Sequence, residues 1–122
     1  MKGGQMGKKS VKFIYKGQEI MEESHAAAIR VFKDRSQDEL ECFASLPKHS
    51  SNGCKRYLTR NPEDLYPSKG DNKRLIEKAE EFRPGWFISP NIGPKTLTII
   101  FKLVCKCSDL EFGIDLTKPE WN

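Results

Sequence analysis

Hydrophobic positions alternate with polar ones at the start of the patterned chain. Val11, Phe13 and Tyr15 alternate with Lys12, Ile14 and Lys16, the period-two signature of a strand with one buried face. Gly17 supplies a turn, and Glu19-Ile20 reads as a short return strand. From Met21 the period lengthens to a helical one. Met21, His25, Ala28, Ile29 and Phe32 share a face, with Glu22, Glu23, Arg30 and Lys33 elsewhere. Ser36-Gln37-Asp38-Glu39 has the pattern of a capping box ahead of Leu40, Phe43 and Ala44. Two helices are therefore expected before Pro47.

Residues 48–54 are polar, with Ser50, Ser51, Asn52 and Gly53 in turn chemistry, and Tyr57-Leu58-Thr59 reads as a strand. Asn61-Pro62-Glu63-Asp64 begins a helical turn, with Asn as cap, Pro at the first position and acids favouring the amino-terminal dipole. Leu75, Ile76, Ala79 and Phe82 have the spacing of a short amphipathic helix stopped by Pro84, and Trp86-Phe87-Ile88 is an apolar strand. After the turn at residues 90–94 two patterns overlap. Leu97, Ile99, Phe101, Leu103 and Cys105 alternate as in a strand, while Lys95, Thr98, Lys102 and Lys106 form a polar helical stripe behind Pro94. Residues 110–116 read as a last short strand. The fold class expected is α+β: one small helix-rich domain at residues 11–122 with a short antiparallel sheet, preceded by a flexible Gly- and Lys-rich tail at residues 1–10.

At 122 residues the chain is long enough for a single core. A net charge of +4 conceals an uneven distribution: residues 1–16, 47–60 and 85–107 hold 12 of the 21 Lys and Arg residues and none of the 17 acids. If folding gathers these segments, one face is cationic on a body that is not basic overall, the arrangement suited to a polyanion. No apolar run approaches the ~20 residues of a membrane span, and no apolar segment follows the first lysines as in a secretory signal. A cytoplasmic location, with no membrane partner, is the expectation. Cys42, Cys54, Cys105 and Cys107 lack the paired spacing of a structural zinc site, so reduced thiols and no metal or other cofactor are expected.

Catalytic motifs are missing from the sequence. His25 lies on the apolar face of a helix, which marks a core or boundary histidine, and His49 lies in a polar loop where solvent is its expected partner. Asp109, Glu111 and Asp115 raise a metal-dependent nuclease as a reading, but no lysine accompanies them in the same segment. Recognition chemistry is better represented. Asn52-Gly53-Cys54-Lys55-Arg56 presents two cations from a turn just before a strand, suited to phosphate or to guanine. Ser89-Pro90-Asn91-Ile92-Gly93-Pro94-Lys95-Thr96 is a polar turn after a strand. Its Asn91 amide matches an adenine edge, and the Lys95 and Thr96 amides at a helix start suit a phosphate.

The run from Lys55 through Arg56, Tyr57, Asn61, Pro62 and Leu65, followed by Pro84-Gly85-Trp86-Phe87-Ile88-Ser89, an Asn-containing turn and Lys95, resembles the DNA-binding domain of SeqA and related small bacterial modules over residues 53–105. SeqA-type domains bind hemimethylated GATC. The resemblance implies two loops that enter the major groove, with Lys55 and Arg56 in the first and Asn91, Lys95 and Thr96 in the second, and a helix over residues 94–105. The sequence departs from the SeqA pattern at Gly53-Cys54, at Pro90, and in the added segment 71–82. The function expected is a non-enzymatic module that contacts duplex DNA through Asn52, Lys55, Arg56, Asn91, Lys95 and Thr96. The alternative is a protein-interaction or inhibitor module of phage or bacterial defence with a cationic face.

Overall fold

A computed structural model describes residues 10–46, 49, 56–65, 77–89 and 92–121. The chain begins with a hairpin of β1 (Ser10–Tyr15) and β2 (Gln18–Glu23), paired from Ser10↔Glu23 to Tyr15↔Gln18. Lys16 and Gly17 both take positive φ, 52° and 82°, the two-residue turn whose twist matches the strands it joins. Ser10 is thus already strand rather than tail. Met21 belongs to β2 and is 52% exposed; the helical period starts three residues later than the sequence pattern suggests, at α1 (Ser24–Lys33). Strand pairing with Lys12 claims Met21 before the helix can.

Helix α1 buries Ala27, Ala28, Val31 and Phe32. Tyr15 secures its far end to β1: its hydroxyl donates to Asp34 Oδ2 at 2.8 Å and accepts from Arg35 Nη2 at 2.9 Å. Burial, with the Asp34 hydrogen bond, pushes the Tyr15 phenol up to about 12. Helix α2 (Gln37–Ala44) opens on the expected capping box, with Glu39 N–H donating to Ser36 Oγ and Ser36 N–H to Glu39 Oε1. Leu40 and Phe43 turn inward.

The second sheet has the order β3-β5-β4, from β3 (Leu58–Thr59), β4 (Glu80–Arg83) and β5 (Trp86–Ile88), all antiparallel. A 3-10 turn at Pro62–Leu65 follows β3 and buries Leu65. Glu77 and Lys78 are helical, but the expected helix does not reach Phe82, which lies in β4 and stacks on Phe32 at 5.8 Å between ring centroids. Backbone pairing of Glu80 and Glu81 with Ile88 and Phe87 overrides the helical spacing there. Leu75 and Ile76 lie outside the described residues. Gly85, at φ 81°, makes the β4–β5 turn, where a side chain would be strained.

Helix α3 (Pro94–Lys106) settles the segment whose two patterns overlapped. It buries Leu97, Ile100, Phe101 and Val104, with Phe101 edge-on to Phe13 at 5.0 Å. The expected strand at residues 110–116 is instead a tight turn touching β1 through a single Tyr15–Leu116 bridge. The last strand is β6 (Glu120–Trp121), which joins β1 to complete the first sheet in the order β2-β1-β6. One core unites both sheets with α1, α2 and α3. A disulfide between Cys42 of α2 and Cys107 at the end of α3 replaces two of the expected free thiols. Its partners are 65 residues apart, so only the packing of α2 against α3 reveals the pair. Cys105 is free and half-buried, and Cys54 lies outside the described residues. Among the described residues no helix is long and apolar enough to cross a membrane.

Candidate nucleic-acid interface

The β3–β5 ladder sets the described residues that flank the two candidate loops beside each other. Leu58 pairs with Ile88 and Thr59 with Phe87, and Ser89 N–H donates to Tyr57 O at 3.2 Å just beyond. The chain entering β3 and the chain leaving β5 therefore share one end of the sheet. Tyr57 also carries a side-chain hydrogen bond to Thr96, which attaches the first turn of α3 to the same place. Burial pushes the Tyr57 phenol up, and the Thr96 bond partly offsets this. Ser24 Oγ donates to Ile92 O, so the start of α1 meets the segment that leads into α3.

Helix α3 starts without a side-chain cap. Gly93 is its N-cap and Pro94 its first residue, and the first intrahelical bond runs from Leu97 N–H to Gly93 O at 2.8 Å. The amides of Lys95 and Thr96 precede that bond, at the positive end of the helix dipole. Away from the core, Lys95, Ile99, Lys102 and Lys106 are all exposed, at the spacing of one helical stripe. The expected polar stripe is thus present, with Thr98 at its border donating to Pro94 O at 3.0 Å. Lys102 Nζ rests 5.6 Å from the centroid of the Phe112 ring.

Arg56 is placed differently from a free cation. Its Nη2 donates to Ala44 O and, at 2.6 Å, to Leu46 O, the carbonyls at the end of α2. A helix leaves its last carbonyls unpaired, and α2 has no basic residue of its own in its last turn. Arg56 fills that role from the loop. His49, expected in solvent, is 2% exposed beneath it. Its Nδ1 accepts the Tyr57 amide at 2.9 Å, so the neutral ring carries its proton on Nε2, where Phe43 O accepts it at 2.9 Å. Burial and the guanidinium 3.1 Å away push the His49 imidazole down to about 4. His49 is a neutral pin between α2 and β3. Sequence could not show this, because the groups it satisfies are backbone atoms at the end of another element.

Among the expected site residues, Lys95 is exposed, Thr96 is half-buried with its hydroxyl on Tyr57, and Arg56 braces α2. Asn52, Lys55 and Asn91 lie outside the described residues. Arg60, which the sequence did not single out, donates to Gly85 O at 3.1 Å and lies 4.5 Å over the Trp86 ring. His25 is a boundary residue as expected, with Nδ1 3.8 Å from Glu80. Among the described residues no three His, Cys, Asp or Glu side chains gather as metal ligands would. Comparison with protein families, with curated proteins and with solved structures finds no match for this chain.

Proposed function

We propose that this protein is a non-catalytic module that binds duplex DNA at the end of the second sheet, where the roots of two polar loops meet the start of α3. One observation carries the reading: the β3–β5 register sets Tyr57 beside Ser89, so the segment arriving through Asn52, Lys55 and Arg56 and the segment leaving toward Asn91, Lys95 and Thr96 share an edge. Two loops rooted side by side can enter one groove together, which two loops at opposite ends of a sheet cannot. The SeqA-like layout of the sequence supports the same pairing. Lys55 and Lys95 bring positive charge, the uncapped turn of α3 offers amides to a phosphate, and Asn52 and Asn91 carry the donor–acceptor pairs that read a base edge. Arg56 holds the root of the first loop to α2.

Methylation state belongs to this reading. An asparagine amide paired with adenine N6 and N7 meets one N–H fewer when N6 is methylated. NMR titration with unmethylated, hemimethylated and fully methylated duplexes tests it. Shifts at residues 52–57 and 89–96 are the expected result; shifts confined to residues 1–9 reduce the binding to non-specific charge and overturn it. A protein-interaction module is the second reading, favoured by exposed Ile14, Met21 and Trp121 on the first sheet. Such a protein is retained on heparin but not on duplex DNA.

A further inference from the structure

We infer that the outer face of α3 is a phosphate-contact strip that grips a DNA duplex by its backbone and contributes no base selectivity. The inference rests on the duplex-binding reading and divides the labour within it: the loops read, and the helix holds.

The distribution of the two cationic residue types carries the argument. Arginine presents a rigid planar fork that matches guanine O6 and N7, whereas lysine is a flexible point charge. Among the described residues each arginine is bound into the fold. Arg30 pairs with Glu22 at 2.6 Å, and Arg35 donates to the Tyr15 hydroxyl and to Val31 O. Arg56 braces the end of α2, Arg60 covers Trp86, and Arg83 donates to Lys33 O at 2.6 Å. The exposed cations of α3 are all lysines: Lys95, Lys102 and Lys106.

Their spacing suits a row of phosphates. At 100° per residue, steps of 4, 7 and 11 return to nearly the same side of a helix, so roughly one line holds Lys95, Ile99, Lys102 and Lys106. With a rise of 1.5 Å per residue the outer lysines stand about 16 Å apart along the axis, roughly five base-pair steps of 3.4 Å. Residues 85–107 contain no carboxylate to neutralise the strip from within, and the acids that follow, Asp109, Glu111 and Asp115, mark its boundary beyond α3. The Phe112 ring steadies Lys102 without cancelling its charge. Ile99, 37% exposed at the centre, offers apolar surface to sugars and no hydrogen bond to a base.

The test is fluorescence anisotropy with two duplexes of unrelated sequence, each of about 16 base pairs, titrated from about 50 to about 200 mM salt. The native protein is compared with a Lys95→Ala, Lys102→Ala, Lys106→Ala triple variant, whose thermal melting confirms the fold. The triple variant should weaken binding to both duplexes by the same factor. It should also flatten the slope of log K against log salt by about 2.7, or about 0.9 per lost phosphate contact. Native-like binding by the triple variant overturns the strip and removes Lys95 from the duplex contact, while the loop reading then stands on Asn52, Lys55, Asn91 and Thr96. A loss that differs between the two sequences shows that the face reads bases and also overturns it. If the native protein binds neither duplex but binds polyglutamate, the face serves an acidic protein surface, and the duplex reading fails with it.

Discussion

In residues 47–60 the described cations, Arg56 and Arg60, are held against the fold, and in residues 85–107 the cations, all lysines, face outward, although neither segment contains an acid. Arg56 reaches the carbonyls that end α2, and Arg60 lies over Trp86 at the surface, with Glu41 of α2 3.4 Å from its Nη1. Lys95, Lys102 and Lys106 stand on the exposed side of an α3 whose other face is core. The contrast shows that a lack of acids in the same stretch of sequence is not a lack of partners. Backbone carbonyls at a helix end and the face of an indole also receive cations, and neither leaves a mark in a charge count. Arginine, with a planar head that bonds several carbonyls at once, takes the inward work, and lysine remains where water or a polyanion is the partner.

Helix α2 stands between the two regions, since Arg56 and His49 hold its end and Cys42 fastens it to α3. Cys42→Ser should therefore show the largest effect, a loss of about 4 kcal/mol in urea unfolding under non-reducing conditions, as expected for opening a closed loop of this size. A loss near zero would mean that the two helices hold each other without the bridge.

Acid should come next. The His49 imidazole titrates at about 4 in the fold and near 6.5 when unfolded, so above pH 6.5 both states are neutral and the contribution is complete. As pH falls from 6.5 to 4 the unfolded chain takes the proton first, and stability drops by about 3 kcal/mol in total. Urea melts at successive pH values should show that slope in the native protein and lose it in His49→Gln. A persisting slope would assign the acid sensitivity elsewhere.

Arg56→Met should cost about 2 kcal/mol, because it leaves carbonyls of a half-buried helix end without their charged donor. Under conditions where the variant is still folded, its DNA affinity should change less than that of Lys95→Ala. The reverse order in an anisotropy titration would make Arg56 a contact as well as a brace. The smallest stability effects belong to the outward lysines: each of Lys95→Ala, Lys102→Ala and Lys106→Ala should stay within about 0.5 kcal/mol of native in the same melts. A larger loss at Lys102 would show that its contact with Phe112 is structural.

Local chemistry made part of the fold legible. The Lys16-Gly17 turn, the Ser36/Glu39 capping box, the Asn61-Pro62 turn and the Trp86 strand each depend on residues within a few positions of one another. At Met21 and Phe82 strand pairing, with Lys12 and with β5, outweighs a helical spacing. Of the candidate site, the two polar segments with Lys95 are legible in the sequence, and the lysine stripe is legible there only as a helical period. That Arg56 and His49 serve α2 was not, since their partners are carbonyls fixed only when α2 and β3 pack.

By itself the sequence determined the α+β class, most of the element types and the acid-free segments, because turns, caps and alternation are written in short windows. Tertiary structure decided three things: that residues 94–106 are helix, that the chain entering β3 and the chain leaving β5 share an end of one sheet, and that Cys42 meets Cys107. Residues 97–105 satisfy both periods. Only the surface they pack against, Phe13 and the flank of α1, selects Leu97, Ile100, Phe101 and Val104 as the buried set and with it the outward direction of the lysines.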